Sequence, residues 1–384
     1  MAVKQGAQPP SKVQISRLAG IRHCGSSATA LMVATVDLSP FMADEGVVVG
    51  AVPTASQLAG AKAIDLACRD TGFVQVINFG VSAELRRRAF AAAEALFAQP
   101  EEHKRERLAR LQPATNTGYA PVGLESLNRA RPADLKEAPE LGLNNFAGCP
   151  NGYEETALEL WRALELAARR YALACALALG LETDYFLRSL QRFDLCTLRM
   201  PPLDCKRRML HYPPCDPPAE GRGRQPVSSS AIRVGEHTDF GAYTFLLLGD
   251  GAQGLQVKSV AGGEVGGAAG GEGEGWADVV PEPQPEGVVG AVVNTGALLA
   301  RWTNDVWCAT AHRVIVPTAA AAAAHRYSIA CFIDPDADFV VAVDPRFARP
   351  GEELRYPPTT GLEYLMGKLR EAQGVQKPAA SGRD

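Results

Sequence analysis

The chain has 384 residues, 46% of them hydrophobic, which is enough for a sizeable core and excludes wholesale disorder. Its 39 Lys and Arg against 43 Asp and Glu give a net charge of −4, so nothing in the composition favours binding to nucleic acid or to an anionic membrane. No run of about 18 or more apolar residues occurs, and we therefore expect no membrane-spanning segment.

The N-terminal residues 1–33 are expected to form a disordered tail, with an organelle transit segment as the alternative. The first 36 residues contain no Asp or Glu but carry four Lys or Arg, a composition that transit peptides allow. The nine cysteines are odd in number and include no Cys-x-x-Cys pair, which argues against a disulfide framework or a zinc cluster. We therefore expect a reducing compartment, which is the cytoplasm unless residues 1–33 direct import into an organelle.

The region 34–195 is predicted to be rich in helices. Apolar residues recur at helical spacing in three segments, and Gly or Pro follows the end of each. The predicted helices are 54–71, 82–98 and 153–179, and a short strand is predicted at 73–78.

From residue 196 the pattern changes to short β-strands separated by turns. The predicted strands are 196–200, 208–212, 242–248, 254–258, 288–293, 312–316 and 327–333. Many short strands at regular spacing predict a sandwich or a barrel. Two low-complexity connections are expected between strands: a flexible insert at 261–275, with 8 Gly in 15 residues, and six consecutive Ala at 319–324. Residues 346–384 are expected to form a C-terminal helix and tail.

The segment His237-Thr238-Asp239 is the first candidate for chemistry. Residues i and i+2 of an extended backbone point to the same side, so His237 and Asp239 can face one ion. His312 follows 73 residues after Asp239, just before an apolar strand. If the two strands are neighbours in a barrel, two imidazoles and one carboxylate converge as the facial triad that binds non-haem Fe(II). The alternative is that these are ordinary surface or core histidines.

Arg326 and Ser328 form the second candidate, at the start of the predicted strand 327–333. They are two residues apart and therefore face the same side of the strand. A buried Arg needs an anion, because an unpaired buried charge is very costly. A planar guanidinium binds a carboxylate through two hydrogen bonds, and a neighbouring hydroxyl can add a third. The pattern predicts a dicarboxylic cosubstrate that also chelates the metal; the alternative is an ion pair between Arg326 and an acidic residue of the protein.

Taken in order, these motifs resemble the isopenicillin N synthase-like branch of the 2-oxoglutarate- and Fe(II)-dependent dioxygenases, over roughly residues 34–371. Further segments of the N-terminal half fit the helical extension of that family. The matching segments are Gly72-Phe73-Val74, Pro100-Glu101-Glu102, Gly118-Tyr119, His237-Thr238-Asp239, Gly254-Leu255-Gln256-Val257, Trp276-Ala277-Asp278, Asn294-Thr295-Gly296, Ala311-His312-Arg313-Val314 and Arg326-Tyr327-Ser328.

The resemblance implies a mostly β fold with helices, in which a double-stranded β-helix (jelly-roll) core at 196–345 carries a helix-rich N-terminal extension at 34–195. It implies an iron site whose ligands are His237, Asp239 and His312. It implies a cradle for the distal carboxylate of 2-oxoglutarate, formed by Arg326 and Ser328, with Tyr212 as a further contact. By strand alternation, the side of Arg326 also carries two candidates for the substrate pocket, Ala330 and Phe332.

The activity that this resemblance implies is oxidation of a small organic molecule, with hydroxylation as the default outcome. Dioxygen and 2-oxoglutarate would be consumed and succinate and carbon dioxide released, with ascorbate in support. Two alternatives stay open at this stage: an Fe(II) oxidase of the same fold that does not use 2-oxoglutarate, and a catalytically silent β-barrel binding protein. No basic stripe or recognition module supports nucleic acid as a partner.

Overall fold

The computed structural model describes most of the chain. The described residues are 22–23, 29–42, 49–108, 118–125, 132–140, 146, 148–193, 207–215, 232–258, 275–349 and 351–373. The predicted strand at 196–200 lies outside them, and so does the expected flexible insert at 261–275 apart from Gly275.

Helices and strands alternate along the first half of the chain, and strands dominate the second half. The helices are α1 (Ala55–Asp70), α2 (Ala83–Phe97), α3 (Glu101–Arg107), α4 (Tyr153–Ala178), α5 (Ala297–Trp302), α6 (Ala319–Ala323) and α7 (Gly361–Gln373). The strands are β1 (Arg22–His23), β2 (Thr29–Met32), β3 (Thr35–Asp37), β4 (Phe73–Ile77), β5 (Gly118–Ala120), β6 (Ala138–Glu140), β7 (Arg207–Tyr212), β8 (Ile232–His237), β9 (Tyr243–Leu248), β10 (Leu255–Lys258), β11 (Trp276–Val280), β12 (Gly290–Thr295), β13 (His312–Ile315), β14 (Arg326–Ile333), β15 (Val340–Val341) and β16 (Thr359–Thr360).

Two six-stranded sheets form the core of the fold, which is a jelly roll of mostly antiparallel strands. The first sheet has the order β1-β2-β11-β10-β13-β8, and the second has the order β3-β4-β12-β9-β14-β7. The pairs β2–β11 and β3–β4 are parallel. This arrangement confirms the predicted double-stranded β-helix with helices around it.

Alternating residues of the second sheet build two separate hydrophobic layers. On β4, Phe73 packs between the two sheets, whereas Val74 packs on the helical side. Val292 and Val293 of β12 divide in the same way. Helices α1, α2 and α4 cover the outer layer and support the second sheet. The inner face of that sheet points toward the first sheet.

Local sequence explains where α1 begins and ends. Thr54 and Gln57 form a reciprocal capping box at its N-terminus, where each side chain accepts a hydrogen bond from the other residue's backbone. After its end, Gly72 adopts a φ of +72°, and a Cβ there would clash with the carbonyl oxygen of Cys308. Gly72 thus allows the chain to turn directly from α1 into β4.

The predicted helices at 54–71, 82–98 and 153–179 and the strand at 73–78 are confirmed to within a residue or two. Residues 29–32, which we assigned to an N-terminal tail, instead form β2, since the apolar run there pairs with β11 and buries Leu31 between the sheets. Within the run of Ala at 319–324, five residues form α6, capped by Thr318. Among the described residues, no helix is long and apolar enough to span a bilayer.

Candidate metal centre

His237, Asp239 and His312 meet between the two sheets. β8 ends at His237, β13 begins at His312, and the two residues are cross-strand partners with ring centroids 4.3 Å apart. Asp239 lies in the turn two residues after His237, and its Oδ1 is 3.8 Å from the Nε2 atom of each histidine. One potential ligand atom from each of the three residues lies within 4.8 Å of the others, a spacing that suits a single metal ion.

Both imidazoles are oriented by backbone carbonyls. Nδ1 of His237 is 2.8 Å from the carbonyl oxygen of Gly235, and Nδ1 of His312 is 3.2 Å from that of Thr310. A carbonyl oxygen can only accept a hydrogen bond, so Nδ1 carries the proton in each ring. The Nε2 lone pairs are therefore free and face Asp239, which is the tautomer that a metal site requires.

Two hydrogen bonds to Oδ2 fix the carboxylate of Asp239. Oδ2 accepts a hydrogen bond of 2.6 Å from the hydroxyl of Thr244 and one of 2.7 Å from the side-chain amide of Asn294. Thr244 on β9 and Asn294 on β12 are themselves cross-strand partners, so adjacent strands of the second sheet fix both donors. Oδ1 is thereby left to face the two histidines.

The protonation states suit a cation in the middle of the three groups. Burial lowers the pKa of His237, and the neighbouring His312 adds to this effect, so His237 is neutral at physiological pH. Burial acts to raise the pKa of Asp239, but His312, His237 and the hydrogen bonds from Asn294 and Thr244 outweigh it and leave the pKa below its usual value. A carboxylate with neutral imidazole is a donor set suited to Fe(II) with open coordination positions.

Arg326 lies at the start of β14, opposite Tyr212 on β7. Arg326 is 5% exposed, and its guanidinium carbon lies 4.7 Å from the centroid of the Tyr212 ring. Nε donates to the carbonyl oxygen of Gln253, whereas Nη1 is buried and has no hydrogen-bond partner among the described residues. None of the described acidic side chains forms an ion pair with Arg326. A buried guanidinium with a free N–H fits the carboxylate of a bound dicarboxylic acid.

The remaining candidates follow Arg326 along the inner side of β14. Ser328 and Ala330 are buried, and Phe332 is half-buried. Phe332 is the cross-strand partner of Thr244, which places it beside the residue that holds Asp239. Arg326, Ser328, Ala330 and Phe332 thus lie along one side of β14, and Phe332 is at the end of the strand near the metal centre.

Three residues with contacts at this site carried no predicted role: Thr244, Asn294 and Arg233. Asn294 offered a signal, because it is a polar residue in the apolar strand β12. Arg233 offered a similar one, because it is a charge between Ile232 and Val234, four residues before His237. The hydroxyl of Thr244 had no such signal, since Thr is common in strands.

Two protein-family models match the chain over the regions just described. The model of the 2OG-Fe(II) oxygenase superfamily matches residues 203–335, which include the candidate metal centre and Arg326. A second model, described as the non-haem dioxygenase in morphine synthesis N-terminal region, matches residues 33–163.

The chain is also similar to curated proteins and to solved structures that are named for 2-oxoglutarate or contain it. The chain is 30% identical to the 2-oxoglutarate-dependent dioxygenase citB of Monascus ruber over 332 residues, which cover 82% of this chain and 88% of that protein. It is 29% identical to the 2-oxoglutarate-Fe(II) type oxidoreductase hxnY of Emericella nidulans over 361 residues, covering 88% and 90%. The crystal structure of a full-length Neurospora crassa protein in complex with alpha-KG is similar with a TM-score of 0.66 and 26% identity, covering 88% of this chain and 96% of that one.

Proposed function

This chain belongs to the 2-oxoglutarate- and Fe(II)-dependent oxygenase superfamily, and we propose that it hydroxylates a small organic molecule at the centre formed by His237, Asp239 and His312. When bound there, Fe(II) and 2-oxoglutarate supply the oxidising chemistry, in which dioxygen and 2-oxoglutarate convert a substrate C–H to C–OH and yield succinate and carbon dioxide.

The convergence of three free ligand atoms carries this proposal. The two Nε2 atoms and Oδ1 of Asp239 face one another, while the remaining polar atoms of these side chains are engaged with Gly235, Thr310, Thr244 and Asn294. These hydrogen bonds would orient the three ligand atoms before Fe(II) binds. Three protein ligands would leave coordination positions of Fe(II) available to 2-oxoglutarate and dioxygen.

We assign the cosubstrate to Arg326, Ser328 and Tyr212. The unpartnered Nη1 of Arg326 supports this assignment, because it can donate to a carboxylate that is shielded from water. Ser328 lies on the same side of β14 and can add a hydroxyl donor. The similarity to the Neurospora crassa protein, whose structure is solved with alpha-KG, which is 2-oxoglutarate, agrees with a site of this kind.

We assign Ala330 and Phe332 to the wall of the substrate pocket. Both lie on the inner side of β14, and Phe332 is adjacent to Thr244 at the metal end of the strand. An apolar ring at this position would exclude water from the substrate face and favour an apolar group near the oxidised carbon.

The test is a screen of small organic molecules with the purified protein, Fe(II), ascorbate and 2-oxoglutarate, in which succinate is measured. We expect one substrate class to produce succinate and hydroxylated product in equal amounts. The His312→Ala protein and reactions without 2-oxoglutarate serve as controls. Oxidation that continues without 2-oxoglutarate would instead identify a same-fold oxidase.

A further inference from the structure

A second buried arginine lies against the same tyrosine ring as Arg326, and the proposed function gives it no role. Arg233 is on β8 of the opposite sheet and is 2% exposed. Its guanidinium carbon is 5.9 Å from the centroid of the Tyr212 ring, while that of Arg326 is 4.7 Å from the same centroid. One tyrosine ring therefore lies against two guanidinium groups that come from different sheets.

Neither cation is neutralised by a described acidic side chain. Nη2 of Arg233 donates to the carbonyl oxygens of Ala321 and Ala324. Within the described part of the chain, Nε of Arg233 and Nη1 of Arg326 are buried and have no hydrogen-bond partner. The backbone N–H of Leu135 donates to the carbonyl oxygen of Arg233, and two buried acidic residues lie close to Leu135 in sequence. Both form ion pairs with other cations: Asp134 with Lys136, and Glu137 with Lys104.

Two like charges in one buried place destabilise each other unless an anion is present. Burial lowers the pKa of Arg326 below its usual value; Tyr212 acts in the opposite direction, and the charge of Arg233 lowers the pKa further. A guanidinium cannot lose its proton at physiological pH, so the pair keeps both charges. An anion bound between the sheets would attract both guanidinium groups and reduce the cost of their repulsion.

We propose that Arg233 is a second cationic residue for the distal carboxylate of 2-oxoglutarate and that, with Arg326, it makes the pocket selective for dicarboxylic over monocarboxylic 2-oxoacids. This inference rests on the proposed function, since it needs 2-oxoglutarate to bind between the sheets. It assigns Arg233 a role in recognition in addition to its hydrogen bonds to the end of α6.

The test compares two ligands and four proteins by anaerobic calorimetry on the full chain loaded with Fe(II). The ligands are 2-oxoglutarate and 2-oxobutyrate, which keeps the chelating 2-oxoacid but lacks the distal carboxylate. The proteins are the wild type, Arg233→Gln, Arg233→Lys and Thr318→Ala. Thr318→Ala removes the N-cap of α6 without touching a guanidinium, so it is the matched control for a purely structural role.

We expect Arg233→Gln to raise the Kd of 2-oxoglutarate at least about tenfold, which corresponds to ~1.4 kcal/mol, and to leave the Kd of 2-oxobutyrate within about twofold. Arg233→Lys should cause a smaller change in the same direction, because it keeps the charge but loses the planar fork. Thr318→Ala should change neither constant by more than about twofold. If Arg233→Gln fails to fold, the contrast between the two ligands in Arg233→Lys decides the question.

The inference is overturned if the Arg233 variants weaken both ligands equally, weaken neither, or behave like Thr318→Ala. These outcomes differ from failure of the proposed function, in which the wild type itself would not bind 2-oxoglutarate.

Discussion

The metal centre and the surroundings of Arg326 and Arg233, here called the arginine pocket, both lie between the two sheets. They differ in how the protein satisfies their polar atoms. At the metal centre, Thr244, Asn294 and two backbone carbonyls engage every polar atom that does not face the candidate ion. In the arginine pocket, Arg326 and Arg233 each have a buried nitrogen to which no described residue offers a hydrogen-bond acceptor. The protein satisfies the first group of polar atoms by itself, and in our proposal a bound anion satisfies the second.

Removal of a metal ligand should have the largest effect. His312→Ala deletes one of the three converging donors, so we expect loss of high-affinity Fe(II) binding and of turnover. The melting temperature without metal should stay within a few degrees of the wild type, because the strands are held by their own packing rather than by the ion. Metal analysis after anaerobic loading and thermal unfolding measure both quantities, and wild-type turnover in this variant would refute the ligand assignment.

The hydrogen bonds that orient Asp239 should rank next. Thr244→Val keeps the shape of the side chain but removes the 2.6 Å hydrogen bond to Oδ2, so we expect Fe(II) affinity to fall by about 10–100-fold. Thr244→Ser keeps the hydroxyl and is the matched control. Competition with a chelator gives the affinities, and equal values for the Val and Ser variants would show that the hydroxyl does not support the site.

The sequence predicted that His237, Asp239 and His312 come together, and the structure places their potential ligand atoms within 4.8 Å of one another. It also predicted that Arg326 and Ser328 share one side of a strand. Both predictions begin from short local patterns. His237 and Asp239 are two residues apart, and the alternation of β14 relates Arg326 to Ser328. Asn294 and Arg233 stand out as polar residues in apolar strands, but the sequence could not predict what they or Thr244 contact. Those contacts come from the register between β9 and β12 and from the approach of two sheets. Likewise, β2 was missed because its strand character depends on pairing with β11, which is distant in sequence.

Replacement of Arg326 should reduce activity less than the loss of a metal ligand does. Arg326→Lys keeps the charge but loses the two-pronged donor, so we expect the KM for 2-oxoglutarate to rise at least about tenfold, or ~1.4 kcal/mol. Fe(II) affinity should be nearly unchanged, since Arg326 is not among the converging ligands. Succinate release against 2-oxoglutarate concentration measures the effect, and an unchanged KM would leave Arg326 as a structural residue.

The smallest effect is expected from Ser328→Ala. This change removes one neutral donor from the same side of β14, which is worth about two- to fivefold in the KM for 2-oxoglutarate. The same succinate assay measures it beside Arg326→Lys. A larger rise in KM for Ser328→Ala than for Arg326→Lys would reverse the proposed ranking of the two residues.

The most direct test of the contrast between the two sites is an anaerobic titration of 2-oxoglutarate into the Fe(II)-loaded protein, followed by the visible charge-transfer absorption that forms when a 2-oxoacid chelates Fe(II). We expect the wild type to saturate at one 2-oxoglutarate per chain. In Arg326→Lys the same band should appear at higher concentrations, and in His312→Ala it should be absent at all concentrations. A wild-type band in His312→Ala, or no band in the wild type, would contradict the account.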